Sequence, residues 1–174
     1  MQMELKTQRL RLVALRPDQL HWHLDVPERL EAELGCPISR DNVSPAVERA
    51  VGMKLANMSR VPEADYPWLT YWLVIVAGEP FGAGLAGFKG TPDAQGQVEI
   101  GYGIDPAYRG QGYTTEAVRA LVDWAFAHPR YRSVHAPVHK DNPASSRVLA
   151  KCGFHVSHKT EDSLHWRIDA PPRE

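Results

Sequence analysis

A glycine-rich segment, residues 109–114 with the sequence RGQGYT, has the composition of an anion-binding turn. It leads into an amphipathic stretch that we predict to be a helix over residues 113–127. Backbone N–H groups at a helix N-terminus bind phosphate with the help of the helix dipole, and glycine lets the chain approach a ligand closely. A tight strand-to-helix connection would have the same sequence, so both interpretations stay open. The segment is not a Walker loop, because the Lys-Ser/Thr pair is absent.

Glu99 is the candidate general base. It stands in a predicted strand, residues 97–104, among apolar neighbours, where a carboxylate is unfavourable unless it is paired or lies in a cleft. Strand alternation places Gly101 and Gly103 on its face, which leaves an open trough beside the carboxylate. An ordinary solvent-facing strand residue is the alternative interpretation.

A second predicted helix begins at Asn142, a typical N-cap, with Pro143 at the first helical position. Ser145 lies in its first turn, where the hydroxyl either satisfies a backbone group or faces a ligand. Asn142 is likewise a cap, a ligand contact, or both.

Apolar periodicity and turn residues predict seven strands and four helices. The strands are residues 5–15, 70–77, 81–89, 97–104, 133–139, 154–160 and 163–169, and the helices are 17–34, 45–59, 113–127 and 142–152. This order predicts one mixed α/β domain over residues 1–174.

A literal GxGxxG at residues 82–87 is followed by no helix, so it does not predict dinucleotide binding.

Composition excludes several classes of protein. The 174 residues are 43% hydrophobic and 24% charged with a net charge of −1, which gives no basic excess for binding nucleic acid or an anionic membrane. The longest apolar run, residues 72–77, is far below the about 20 residues of a membrane span. Two cysteines make no disulfide framework or zinc motif, and no signal peptide is visible. We therefore expect a cytoplasmic protein.

The histidine spacing predicts no metal site. His135 and His139 would lie about 13 Å apart along a strand, too far for one ion. His155 and His158 are expected on opposite faces of another strand.

Three motifs together resemble the GNAT acetyltransferase superfamily, and within it the branch of the ribosomal-protein N-terminal (RimJ/RimL-type) acetyltransferases. They are EIGY at residues 99–102, RGQGY at 109–113 and NPASSRVLAKCGF at 142–154. The resemblance implies a GNAT fold: a mixed, mostly antiparallel sheet of six to seven strands with splayed central strands, flanked by about four helices.

The resemblance also implies a site for acetyl-CoA and no metal. The family's pyrophosphate loop falls on residues 109–114, so the implied cofactor-binding residues there are Arg109, Gly110, Gln111, Gly112, Tyr113 and Thr114. Thr114 departs from the usual Gly or Ala. The pantetheine arm would pair with the backbone of Tyr102 and Ile104, with Gly103 between them also counted as a cofactor-binding residue. Asn142 would contact the cofactor near its reactive end.

For catalysis, the resemblance implies Glu99 as the base and Ser145 as the group that protonates the leaving thiolate, directly or through water. The tyrosine that many GNAT enzymes use for the thiolate is replaced by Leu149. Pro137 stands near the position where relatives often carry a second carboxylate. The oxyanion would be bound by a strand N–H near Tyr102.

The implied function is an N-acetyltransferase that moves an acetyl group from acetyl-CoA directly to a primary amine. The acceptor is a protein N-terminal amine or a small-molecule amine, and nothing in the sequence selects between them. A non-catalytic acyl-CoA binding or regulatory module is the main alternative, and a nucleotide-binding protein is a third. No nucleic-acid or membrane partner is expected. An exposed strand edge near the C-terminus would allow a homodimer.

Overall fold

Eight strands form one sheet in the computed structural model, which describes residues 1–173. Their order across the sheet is β1-β2-β3-β4-β5-β6-β8-β7. The strands are β1 (Glu4–Lys6), β2 (Leu10–Ala14), β3 (Trp72–Val76), β4 (Phe81–Phe88), β5 (Gln97–Ile104), β6 (Ser133–His139), β7 (His155–Lys159) and β8 (Ser163–Asp169). All neighbours pair antiparallel except β5 and β6. The predicted mixed, mostly antiparallel α/β fold is therefore confirmed, with eight strands in place of six or seven.

Six helices cover the two faces of this sheet. They are α1 (Pro17–Asp25), α2 (Pro27–Leu34), α3 (Pro45–Met58), α4 (Tyr66–Leu69), α5 (Tyr113–Phe126) and α6 (Pro143–Lys151). Strand alternation divides the core, since Leu12 joins the apolar cluster under α5 and α6 whereas Val13 joins the cluster under α1, α2 and α3. None of the helices within residues 1–173 has the length and apolar character needed to cross a membrane.

The first predicted strand, residues 5–15, is in fact a hairpin. The chain turns at Thr7, whose N–H donates to the Leu10 carbonyl at 3.0 Å and whose hydroxyl oxygen accepts the Leu10 N–H at 3.0 Å. Glu116 on α5 accepts the Thr7 hydroxyl at 2.6 Å and holds the turn from outside. The turn contains no Gly, Pro, Asn or Asp, so local sequence does not reveal it.

The first predicted helix, residues 17–34, is two helices. Pro27 starts α2 because a proline fits the first helical position but prevents a continuous helix. The short α4 was not predicted; it precedes β3 and its Leu69 is buried in the core.

The centre of the sheet opens between β5 and β6. These strands pair only at residues 97–99 with 133–135, although β5 continues to Ile104 and β6 to His139. On its other edge β5 stays paired with β4 through Ile104. The β6-facing edge of residues 100–104 is therefore not paired with β6, and a gap separates the two strands.

Lys54 ties α3 to the sheet from inside the core. Its side chain is buried, and its Nζ donates to the carbonyls of Phe88 at 2.9 Å and Leu69 at 3.3 Å, with the ring of Tyr71 4.4 Å away. Burial, with a smaller contribution from the nearby charge of Lys89, lowers the pKa of Lys54 to about 8. The ammonium is thus held where a charge is unfavourable.

This burial makes a prediction about stability and pH. The ordinary pKa of the group is 10.5, so between about pH 8 and 10.5 the unfolded chain holds this proton more fully than the folded chain. Stability contributed by Lys54 therefore rises with pH over that window. In urea unfolding at pH 7.5 to 9.5, the free energy of unfolding of the wild type should rise relative to that of Lys54→Met. The rise should be at most about 1.4 kcal/mol per pH unit. A pH-independent difference between the two proteins would contradict the buried cation.

Candidate active site

A cleft of about 430 Å³ lies beside the end of β5, between the start of α5 and α6. Most of the residues predicted to bind the cofactor line it: Tyr102, Gly103, Ile104, Arg109, Gly110, Gly112, Tyr113, Thr114 and Asn142. Ser145 lines it as well. Gln111 does not, because its side chain turns back to donate to the Ala107 carbonyl at 3.3 Å. The structure thus brings the predicted turn, strand and helix together around one cavity.

The turn before α5 is shaped by two glycines in the left-handed region. Gly110 has φ of +72° and Gly112 has φ of +81°, values that other residues adopt only with strain. Gly112 is the N-cap of α5, and no side chain caps that helix. The first N–H groups of α5 are therefore left to bind a ligand, and the positive end of the helix dipole favours an anion there. These residues fit the phosphates of a nucleotide-like cofactor.

Two hydroxyl groups meet in the cleft. The Tyr102 hydroxyl lies 2.7 Å from the Ser145 Oγ and 3.2 Å from the Ser145 carbonyl oxygen. Burial raises the pKa of Tyr102 to about 12, despite the opposing effect of the Ser145 hydrogen bond. The sequence pointed to the Tyr102 backbone alone and missed this contact. Strand alternation carried a signal for it, since it turns Tyr102 toward the same face as Val98 and Ile100, where α5 and α6 pack.

Asn142 caps α6, as its position before Pro143 predicts. Its Oδ1 accepts the Ser145 N–H at 3.2 Å while the residue also lines the cleft. This contact fixes the first turn of α6 and with it the position of Ser145. Leu149, at the position of the family's tyrosine, is completely buried and offers the cleft no polar group.

Glu99 lies on the opposite face of β5 from Tyr102, and it does not line the cleft. Its Oε1 is 2.5 Å from the Lys89 Nζ, and its Oε2 is 4.0 Å from the His135 Nε2. The carboxylate is half-buried, with 26% of its side chain exposed. The sequence did not connect Lys89 or His135 with Glu99, because only the pairing of β4 and β6 with β5 brings these residues together.

The face around Glu99 is open, as its glycines predict. A Cβ on Gly103 would meet nothing within 4 Å, and one on Gly101 would touch only the end of the Lys89 side chain at 3.3 Å. The cleft and Glu99 thus occupy opposite faces of one strand, next to the gap between β5 and β6.

The same open face continues across β6, β8 and β7. His155 pairs with Arg167 and His158 with His165, so both histidines lie on this face. The prediction that they face opposite sides was wrong, because a bulge between Val156 and His158 adds one residue to the strand. The His158 and His165 rings stack at 4.0 Å.

Within residues 1–173, no three His, Cys, Asp or Glu side chains cluster as a metal site would require.

Several known proteins are similar to this chain in sequence. The acetyltransferase (GNAT) domain family matches residues 9–155. The chain is 33% identical over 95 residues to the Uncharacterized N-acetyltransferase YjdG of Bacillus subtilis, covering 55% of this chain and 56% of that protein. It is 48% identical over 56 residues to the Probable N-acetyltransferase YjcK of the same bacterium, covering 32% and 31% of the two chains. The chain therefore matches these relatives over about half of their length or less.

Solved structures share the fold. The ribosomal-protein-S5-alanine acetyltransferase from Vibrio fischeri superposes with a TM-score of 0.69 at 16% identity, covering 97% of each chain. RimL, a ribosomal L7/L12 α-N-protein acetyltransferase in complex with coenzyme A, gives 0.65 at 16% identity and covers 96% of this chain and 97% of its own. Identities this low establish the fold alone. Because the family match extends over most of the sequence, the chain belongs to the GNAT acetyltransferase family.

Proposed function

We propose that the protein is an N-acetyltransferase that moves an acetyl group from acetyl-CoA to a primary amine in a ternary complex. The turn at residues 109–114, with the first N–H groups of α5, is called the cradle. The observation that carries the proposal is that the cradle and Glu99 lie on opposite faces of β5, beside the β5–β6 gap. A ligand bound on the helix side can reach an acceptor on the open side only through such a gap.

The cradle and the strand edge divide the binding of acetyl-CoA between them. The N–H groups at Gly112 and at the start of α5 suit its pyrophosphate. The β6-facing edge of residues 100–104 suits the pantetheine arm, because backbone groups that lack a strand partner can pair with the amides of an extended ligand. Acetyl-CoA supplies the activated acetyl group as a thioester.

Glu99 acts as the base in this proposal and accepts the proton that the amine loses as its nitrogen bonds to the acetyl carbon. At pH 7, deprotonating an α-amine of pKa about 8 requires only about 1.4 kcal/mol, whereas a lysine side chain requires about 4.6 kcal/mol. A base is therefore more important for a lysine-like acceptor than for a protein N-terminus. Lys89 and His135 hold the Glu99 carboxylate on the open face, where an acceptor can reach it.

The hydroxyl pair assists the leaving sulfur. Because the pKa of Tyr102 is raised to about 12, its hydroxyl stays protonated and can donate to the Ser145 Oγ. The Ser145 hydrogen is then free to point into the cleft and to donate to the sulfur as the carbon–sulfur bond breaks. A thiolate is a weak enough base to leave with this hydrogen bond alone, so the pair need not complete a proton transfer.

The proposed role of Glu99 predicts the effect of Glu99→Gln. We expect kcat/KM for amine acetylation to fall about 10²- to 10⁴-fold with lysine-like amines and less with N-terminal peptides. The affinity for acetyl-CoA should stay unchanged, because Glu99 lies outside the cleft. Thiol release across a panel of amines and peptides, with calorimetry for binding, measures both quantities.

Glu161→Gln is the matched control, since Glu161 is an exposed carboxylate at the β7–β8 turn. It should behave as the wild type. Unchanged turnover in Glu99→Gln with every acceptor would remove Glu99 from the mechanism. If the wild type binds acetyl-CoA but releases no thiol with any amine, the protein is an acyl-CoA binding module.

A second prediction concerns the two hydroxyls. Ser145→Ala should lower kcat at least roughly tenfold, because it removes a hydrogen bond to a developing charge. Tyr102→Phe should lower kcat less, and in the Ser145→Ala background it should have no further effect, because it acts through the Ser145 hydroxyl. Single-turnover rates of the wild type, the two single variants and the double variant make up a double-mutant cycle that measures this coupling. Additive losses would show that the hydroxyls act separately.

A further inference from the structure

The turn of the N-terminal hairpin is fastened to the first turn of α5 through Glu116. The Glu116 Oε1 accepts the Thr7 hydroxyl at 2.6 Å and the Arg9 backbone N–H at 2.8 Å, and its Oε2 accepts the Arg9 Nε at 2.7 Å. Burial alone would raise the pKa of Glu116, but these hydrogen bonds outweigh it and hold the pKa below its ordinary value. The ionised carboxylate thereby fixes the Arg9 guanidinium in place.

The rest of this guanidinium contacts the cradle turn. Its Nη1 donates to the Gln111 carbonyl at 2.9 Å, and the Arg9 Cζ lies over the Tyr113 ring, 4.6 Å from its centre. A methyl group on Gly112 would come within 3.2 Å of its Nη2. Arg9 does not itself line the cleft; it borders a neighbouring depression on the other side of Gly112.

Because a peptide unit is planar, the contact of Arg9 with the Gln111 carbonyl also fixes the direction of the Gly112 N–H. The Gln111 carbonyl and the Gly112 N–H belong to one planar trans peptide, so they point in opposite directions. Because Arg9 holds the carbonyl on the hairpin side, the Gly112 N–H is directed toward the cleft side. That N–H donates to no backbone carbonyl among residues 1–173. A charge-assisted bond to the carbonyl also polarises the peptide and strengthens the N–H as a donor.

We infer that Arg9 is a positioning residue for the cofactor cradle: it holds the Gln111–Gly112 peptide so that the Gly112 N–H points at the pyrophosphate of acetyl-CoA. The inference rests on the proposed function, in which this cleft binds acetyl-CoA. Without Arg9, a turn with two left-handed glycines has many accessible conformations, and binding must select the competent one. The N-terminal hairpin, more than 100 residues away in sequence, is therefore part of the cofactor site.

Calorimetric titration of the full chain with acetyl-CoA tests this inference. Arg9→Ala should weaken the affinity about tenfold, which is a typical effect of a charge-assisted hydrogen bond. The KM for acetyl-CoA should rise by a similar factor, and kcat at saturating acetyl-CoA should be retained, because the acceptor face and the hydroxyl pair are untouched.

Arg11→Ala is the matched control. Arg11 lies two residues further along the same hairpin, donates to the Leu34 carbonyl at 3.2 Å and pairs with Glu4 at 3.9 Å, away from the cradle. It should lower stability toward urea without changing the affinity for acetyl-CoA. If Arg9→Ala does not fold, Arg9→Lys replaces it, since an ammonium group lacks the planar fork that donates to Glu116 and to the Gln111 carbonyl from separate nitrogens.

The outcomes separate the two claims. A wild type that does not bind acetyl-CoA defeats the proposed function. A wild type that binds, together with a folded Arg9 variant of equal affinity, defeats the positioning role and leaves the proposed function standing. Equal loss of affinity in the Arg9 and Arg11 variants would likewise show a merely structural effect of the hairpin.

Discussion

The gap between β5 and β6 is the constraint on which the rest of the site depends. Pairing between β5 and β6 ends after Glu99 and His135, so beyond that point the facing edges of the two strands are not paired with each other. The backbone along this edge is accessible, since Gly103 is exposed and Tyr102 and Ile104 are half-buried, so it can pair with an extended polar ligand. In the proposed function, the gap lets acetyl-CoA bound at the turn before α5 reach an acceptor beside Glu99 on the other face of the sheet.

Other features keep this opening stable. On one face α5 and α6 pack against a continuous apolar cluster that includes Val98, Ile100 and Val134, so the paired ends of β5 and β6 are firmly held. On its other edge, β5 remains paired with β4 as far as Ile104. The strand can therefore leave one edge unpaired without losing its place in the sheet. The absence of side chains at Gly101 and Gly103 keeps the face of β5 around Glu99 open.

Local patterns predicted the features that depend on short stretches of chain. The periodicity after Gly112, the cap at Asn142 and the alternation around Glu99 each correspond to an element of the structure. Features that depend on distant residues were not visible: the hairpin turn at Thr7 needs Glu116, the Glu99 carboxylate is held by Lys89 and His135, and the Tyr102 hydroxyl needs α6. The bulge that reverses the facing of His158 has no glycine or proline to mark it. Contacts of this kind arise only from tertiary packing, which one sequence does not specify by spacing.

Amide hydrogen exchange with and without acetyl-CoA monitors the turn before α5 and the edge of β5 at once. If acetyl-CoA binds in the gap between β5 and β6, it slows exchange at the amides around Gly112 and the start of α5, and at amides of residues 100–104 whose N–H groups face the gap. Amides of α3 and of β1, far from the gap, should exchange as before. Binding without protection at residues 100–104, or protection confined to another surface, would contradict the placement of the cofactor in the gap between β5 and β6.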